Sequence, residues 1–172
     1  DNANAVDKLA VKMTGAATQQ LTFRSATGIT VASVTDGTGA TVNGAELPGI
    51  LSLRADAGGI TQTHRIQAGA VAARASGDVD LSLRNGSGGA VNLIEKLAAN
   101  SSTGEVKVLN NTTLQVATVD SLAGVSTELD GRDIAIATAS GDLVLSAGLG
   151  VGQSGTADGT VRLEATQGAI FQ

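Results

Sequence analysis

Apolar residues along this chain alternate with polar ones over short runs, and small bends break each run. The recurring arc reads apolar-x-apolar, a turn containing Gly, Asn or Asp, then apolar again. Its clearest copies are LTFRSATGITV at 21–31, LSLRADAGGITQ at 51–62, LSLRNGSGGAVNL at 81–93 and VRLEATQGAIFQ at 161–172. Looser copies lie at 70–83, 106–116 and 134–147. A period of two sends successive side chains to opposite faces, so each flank predicts a short strand with one buried face. Gly, Asn and Asp supply the intervening turns. The buried face is expected to hold Leu21, Phe23, Leu51, Leu53, Leu81, Leu83, Leu143, Leu145, Val161 and Leu163. Helix is nearly absent. The one helical candidate, AVNLIEKLAANS at 90–101, puts Leu93, Ile94, Leu97 and Ala98 on one side but is short, and reads better as a strand followed by a turn. The stretch 33–49 reads as the largest loop, and 148–160 as another polar loop.

Two spacings raise these arcs to a repeat. Leu21, Leu51 and Leu81 recur at intervals of 30 residues, as do Phe23, Leu53 and Leu83, and as do Arg24, Arg54 and Arg84. The phrase ASGD at 75–78 returns at 139–142, an offset of 64. Strand–turn–strand units repeated in this way predict a solenoid with coils of roughly 20 to 30 residues whose lengths vary through insertions. The expectation is an all-β fold, a parallel β-helix running as one segment over 1–172. An elongated shape follows if coils contact only their neighbours. A β-sandwich is the structural alternative. It is disfavoured because hairpin signatures are sparse: NG occurs at 43–44 and 85–86, DG at 36–37, 130–131 and 158–159, and only some lie between alternating apolar runs.

Composition narrows the core and the chemistry. With two Phe, no Tyr, no Trp and one Met, the interior must be filled by Val, Ile, Leu and Ala, which suits closely approaching backbone layers. Charge is mildly acidic, 11 Lys and Arg against 16 Asp and Glu. No basic patch and no stacking aromatics argue for a nucleic-acid partner. The chain has no Cys, so disulfides and Cys-ligated zinc are excluded. No apolar run is long enough for a membrane-spanning helix. The first residues lack an initiator Met and a signal-peptide pattern, so the chain is expected to be part of a longer repetitive protein. It stops at GAIFQ, directly after an apolar strand, with Ala169 and Phe171 on one face of the last rung and Ile170 on the other. Weak end-to-end association through that rung is expected.

The phrases Leu97–Asn110, Leu114–Val125 and Asp142–Ala147 resemble the central repeats of large filamentous-haemagglutinin-like bacterial surface proteins. The likeness extends over most of the chain from residue 21 and rests on degenerate motifs. It implies a right-handed parallel β-helix, secretion to the bacterial cell surface, and a role in adhesion or as a stalk. The partners it implies are adjacent solenoid coils of the parent protein and a host-cell or matrix glycan or protein. The Asn-Pro motifs of that family's export module are missing, which points to an internal segment.

Candidate chemistry is thin. His64 is the only His and sits in a polar bend with no partner set for zinc. No GxSxG surrounds any Ser. Asp78 and Asp80, at i and i+2 on a strand, would stand about 7 Å apart, a separation compatible with inverting glycoside chemistry. They are the candidate carbohydrate contacts, and a carbohydrate site would need a groove lined by Asp78, Asp80 or the 33–49 loop. Asp130, Asp133 and Asp142 form a looser group. Aromatic sugar platforms are lacking, since Phe23 and Phe171 both read as core-facing. GLGVGQSG at 148–155 precedes no helix and is not a nucleotide fingerprint. Asn85, Asn100, Asn110 and Asn111 begin formal glycosylation sequons. Arg24, Arg54 and Arg84 should mark one outer face, paired with nearby carboxylates. The expected protein is therefore a non-catalytic structural shaft without cofactor or metal, and a carbohydrate-binding or polysaccharide-cleaving β-helix is the alternative.

Overall fold

The computed structural model describes residues 4–152 and 158–172. The chain winds into a parallel β-solenoid of about five turns. One sheet stacks seven strands in chain order: Lys8–Leu9, Ile29–Val31, Ile60–Gln62, Val79–Leu81, Val106–Asn110, Ile134–Thr138 and Val161–Ala165. We call this the first face. The second sheet holds ten strands. Its long members Ala45–Ala55, Ile66–Ala75 and Leu93–Ser101 each cover two sides of the coil. On the second face their first halves stack with Val11–Lys12, Leu114–Val116, Leu143–Leu145 and Ile170–Phe171. On the third face their second halves stack with Gln20–Ser25, Val125–Thr127 and Leu149–Gly150. Every pairing in both sheets is parallel. The antiparallel strand pairs among the described residues are two small hairpins, Ser33–Thr35 with Thr41–Asn43 and Thr118–Val119 with Leu122–Ala123. A sandwich is thereby ruled out. The segment read as a strand at 90–101 is one, from Leu93 to Ser101.

Coil length varies because inserted hairpins and loops bulge from a common frame. On the first face the core position passes through Ile29, Ile60, Val79, Val106, Ile134 and Val161, steps of 31, 19, 27, 28 and 27 residues. The 19-residue coil is bare. The 31-residue coil carries the 33–43 hairpin, so the stretch expected as a loop at 33–49 is a projecting hairpin that runs into the strand Ala45–Ala55.

This variation corrects the 30-residue rows. Leu21 does pair with Leu51, and Phe23 with Leu53, on the third face. The next residues up are Val71 and Ala73, only 20 further on. Leu81 lies on the first face beside Val108, and Leu83 is half-buried and belongs to no strand. The third Arg of the row is Arg74, not Arg84.

The core is a set of inward columns. One runs Leu21–Leu51–Val71–Leu97–Val116–Leu145, another Phe23–Leu53–Ala73–Ala99–Val125–Leu149. Along the second, large residues at both ends flank the consecutive alanines Ala73 and Ala99, so the Ala-rich middle of the stack still packs closely. Leu51, Leu53, Leu81 and Leu143 are fully buried. Leu21, Phe23, Leu145 and Leu163 are partly buried against the same cluster. Val161 occupies an inward position opposite Ile134 yet is 40% exposed, because the last coil has nothing above it. Ile170, opposite Leu143, is likewise an uncovered core position. Phe171 pairs with Val144 on the outer surface, which corrects the reading of Phe171 as core-facing.

Polar side chains close the corners. Between the first and second faces, Gln62, Asn92 and Asn110 form a buried amide ladder. Gln62 and Asn92 exchange two side-chain hydrogen bonds of 2.9 Å each. Asn92 Nδ2 also donates to the carbonyls of Leu81 and Leu109, and its Oδ1 accepts from Ile66 N. Asn110 accepts from Ile94 N and donates to Ile94 O and Thr112 O. Strands that end at a corner leave backbone groups without ladder partners, and buried ones must be satisfied. Where the second face turns into the third, the backbones approach too closely for a side chain: a Cβ on Gly69 would lie 2.4 Å from Pro48 O.

Candidate functional site

The candidate carboxylates Asp78 and Asp80 flank the start of the strand Val79–Leu81, and the structure gives each a local task. Asp78 is exposed, and its Oδ1 accepts from Glu105 N at 2.8 Å, one coil further on. Asp80 Oδ1 accepts from Ser82 N at 3.0 Å and from the Ser82 hydroxyl. Both carboxylates add negative potential to Lys107, which pairs with Glu105, and this ring of carboxylates raises the Lys107 pKa, the Glu105 hydrogen bond most of all.

Asp78 is one member of a recurring device. Asp133 Oδ1 accepts from Thr160 N at 2.7 Å and Asp142 Oδ1 from Ala169 N at 2.9 Å, each spanning 27 residues as Asp78 does. The repeated ASGD phrases place their aspartates at two different corners, before a first-face strand at Val79 and before a second-face strand at Leu143. Their 64-residue offset is therefore no multiple of a coil. Asp133 and Asp142 serve stacking, not a shared site.

Beside Lys107 lies a shallow groove of about 180 Å³ on the outer first face, floored by Ala135 and Ala137 and flanked by Ser82, Arg84, Arg162 and Glu164. Its cations are engaged: Arg162 with Glu164 at 3.0 Å, Lys107 with Glu105, and Arg84 Nη1 with Gly88 O at 2.8 Å.

The outer third face carries the most connected polar cluster. Arg24, Arg54 and Arg74 stack in register. Asp56 bridges the first two, at 2.7 Å from Arg24 Nε and 2.8 Å from Arg54 Nε, and these bonds hold its pKa down. Arg74 turns instead to Asp120, at the tip of the second hairpin. That hairpin lies back over the alanines of the stack, with Val119 and Leu122 against Ala70, Ala72, Ala98 and Ile50. Asp120 then reaches Ser52 at 2.6 Å and Gln20 at 3.1 Å, so a residue of a late coil ties down the first two. Asp120 and Ser121 both have positive φ, 47° and 61°, the geometry of a tight type I′ turn. For residues other than Gly this costs on the order of 1 kcal/mol each, offset by the contacts at the tip. The sequence reading missed this strap because VDSL lacks the Asn-Gly or Asp-Gly signal.

The Ser52 hydroxyl is the largest cause of the lowered Asp120 pKa, with Gln20 and Arg74 adding to it and partial burial opposing. A depressed carboxyl pKa stabilises the fold above the unfolded value, about 3.9 for Asp, and that stability is lost as pH falls through the folded value. Asp120→Asn should therefore lower the urea midpoint at neutral pH. The difference between wild type and variant should begin to shrink below about pH 4 and close only once pH has fallen below the lowered folded pKa, and a difference unchanged by acid would place the effect elsewhere.

Other candidates resolve into structure. His64 is half-buried, its Nδ1 3.2 Å from Thr63 Oγ1. Among the described residues no group of three His, Cys, Asp or Glu side chains is placed to hold a metal ion. Of the sequon asparagines, Asn110 is buried in the ladder, Asn100 donates to Ser126 Oγ, and Asn85 and Asn111 are exposed. The last three residues of GLGVGQSG, 153–155, lie outside the described residues.

The fold and its corner devices define a parallel β-solenoid with repetitive, stacked coils. No family model, curated protein or solved structure matches the chain.

Proposed function

We propose that this chain is a rigid structural segment of a secreted or cell-surface bacterial protein, adhesin-like and non-catalytic. Its mechanism is mechanical: stacked coils carry a recognition element, for a host-cell or matrix glycan or protein, away from the surface that anchors them. The observation that carries this reading is where the polar groups are committed. Asp78, Asp133 and Asp142 hold backbone N–H groups of the following coil, Asn92 and Asn110 hold corners, and Asp56 and Asp120 tie outer faces. A carbohydrate-cleaving site needs carboxylates free to meet a sugar.

Seven strands at about 4.8 Å spacing span only about 30 Å, so reach requires further coils on the open ends. Those ends are apolar: Val161 and Ile170 on one, and half-buried Leu9, Val11, Met13, Leu21 and Phe23 on the other. Unpaired strand edges of this kind template further pairing. Sedimentation velocity over a wide concentration range should show end-to-end association that Ile170→Lys abolishes and Phe171→Lys, on the outer surface, leaves intact. A monomer at every concentration would remove the support for stacking ends. On a glycan array, binding or turnover lost in Asp78→Ala and Asp80→Ala would replace the shaft reading with the carbohydrate one.

A further inference from the structure

The chain holds two Asn-Gly pairs, Asn43–Gly44 and Asn85–Gly86, and the fold treats them oppositely. Gly44 is buried at the end of the first hairpin with φ of +69°, and its N–H donates to Ala32 O at 2.9 Å. A Cβ there would meet Arg65 O at 2.2 Å, so the backbone has no room to move. Asn85–Gly86 sits in the exposed 84–89 loop, which the Arg84–Ala90 bridge closes. Nothing lies within 4 Å of a Cβ placed on Gly86, and its N–H has no hydrogen-bond partner among the described residues. Asn85 Oδ1 accepts two backbone N–H groups, from Ser87 at 3.0 Å and Gly89 at 2.9 Å, while its Nδ2 is bonded to nothing among the described residues.

We propose that Asn85 is a self-modification site, at which the native loop promotes conversion of Asn85 to aspartate and isoaspartate. Gly86 N gives its proton to solvent base and attacks Asn85 Cγ. As the C–N bond forms, negative charge develops on Oδ1, where the Ser87 and Gly89 amides already point. Donors fixed where charge develops lower a barrier without reorganisation. The tetrahedral centre collapses, Nδ2 takes a proton and leaves as ammonia, and a five-membered succinimide remains. Water opens either carbonyl, giving aspartate or isoaspartate. The sum is asparagine plus water to carboxylate plus ammonia. At Asn43 the same step is closed, because Gly44 N is committed to Ala32 O and held by its surroundings.

The test is prolonged incubation of the folded chain at neutral to mildly alkaline pH, then proteolysis and mass spectrometry. The fragment 85–96 should gain the amide-to-carboxylate mass difference, with an isoaspartyl fraction, while the fragment containing Asn43 stays unchanged. In urea the two pairs should react alike. Gly86→Ala, on an exposed loop where the extra methyl meets nothing, should slow the native reaction by about tenfold, roughly 1.4 kcal/mol of barrier. Equal rates at Asn43 and Asn85 in the folded chain, or no reaction at Asn85, would overturn the proposal. So would an Asn85-to-Asn43 ratio that is the same in urea as in buffer.

Discussion

Replacing Asn92 by Leu should destabilise the solenoid by on the order of 4 kcal/mol, more than any surface substitution. Leu is close to Asn in size, so the change leaves no large cavity. What it removes is the hub of the corner ladder. Ile66 N, the carbonyls of Leu81 and Leu109, and the Gln62 amide all lose their Asn92 partner inside the protein. Each buried polar group left unpaired costs about 1–3 kcal/mol. The sum is not additive, since Gln62 retains its bond to His64 O. Urea unfolding read by circular dichroism measures the loss. Pairing the change with Gln62→Leu should recover part of it, because two apolar groups then face one another. A loss under about 1 kcal/mol would mean that water replaces the amide and that the ladder is not dry.

Truncating Leu53 or Leu97 to Ala should cost about 2–5 kcal/mol. Both are fully buried within their columns: Leu53 stacks between Phe23 and Ala73, and Leu97 between Val71 and Val116. The hydrogen-bonded strands hold these neighbours at their stacking distance, so the cavity closes only in part. Leu83→Ala should cost clearly less, since Leu83 is half-buried outside the strands, and Arg54→Ala under about 0.5 kcal/mol. Equal losses at Leu53 and Leu83 would show that the columns are misassigned. This ordering departs from a reading of the sequence, in which Leu53 and Leu83 are equivalent members of one row.

The contrast between those two leucines shows where sequence reasoning stops. Each sits in an identical LSLR phrase, and period-two alternation assigns both inward. The local rule holds for Leu51 and Leu53. It fails for Leu83 because the coil between them is only 19 residues long on the first face, which brings the second phrase to a different side of the solenoid. Coil length is set by what projects between strands, such as the 33–43 hairpin. Spacing in sequence cannot separate projecting residues from those that wind. The same limit hid the partners of Asp78, Asp133 and Asp142. Their role is visible only once a residue 27 positions ahead is known to lie one strand above. The reading of Asp78 and Asp80 as a pair came from local spacing alone, and in the folded chain each carboxylate turns to its own backbone partner.

By itself the sequence determined the β character, the strand–turn rhythm, the parallel solenoid class, and a core of Val, Ile, Leu and Ala, because alternation and turn residues act over a few positions. It also located most of the inward residues, since the face a side chain takes follows from its parity within a strand. Only the tertiary structure decided the register: which residue stands above which, that Arg74 rather than Arg84 completes the arginine column, that Phe171 points outward, and that a strained two-residue turn at Asp120 straps late coils to early ones. Register is a long-range property. A parallel coil can lengthen anywhere outside its strands without disturbing the local pattern, so residues 20, 26 or 30 apart can share one column, and only the stacked backbone selects among them.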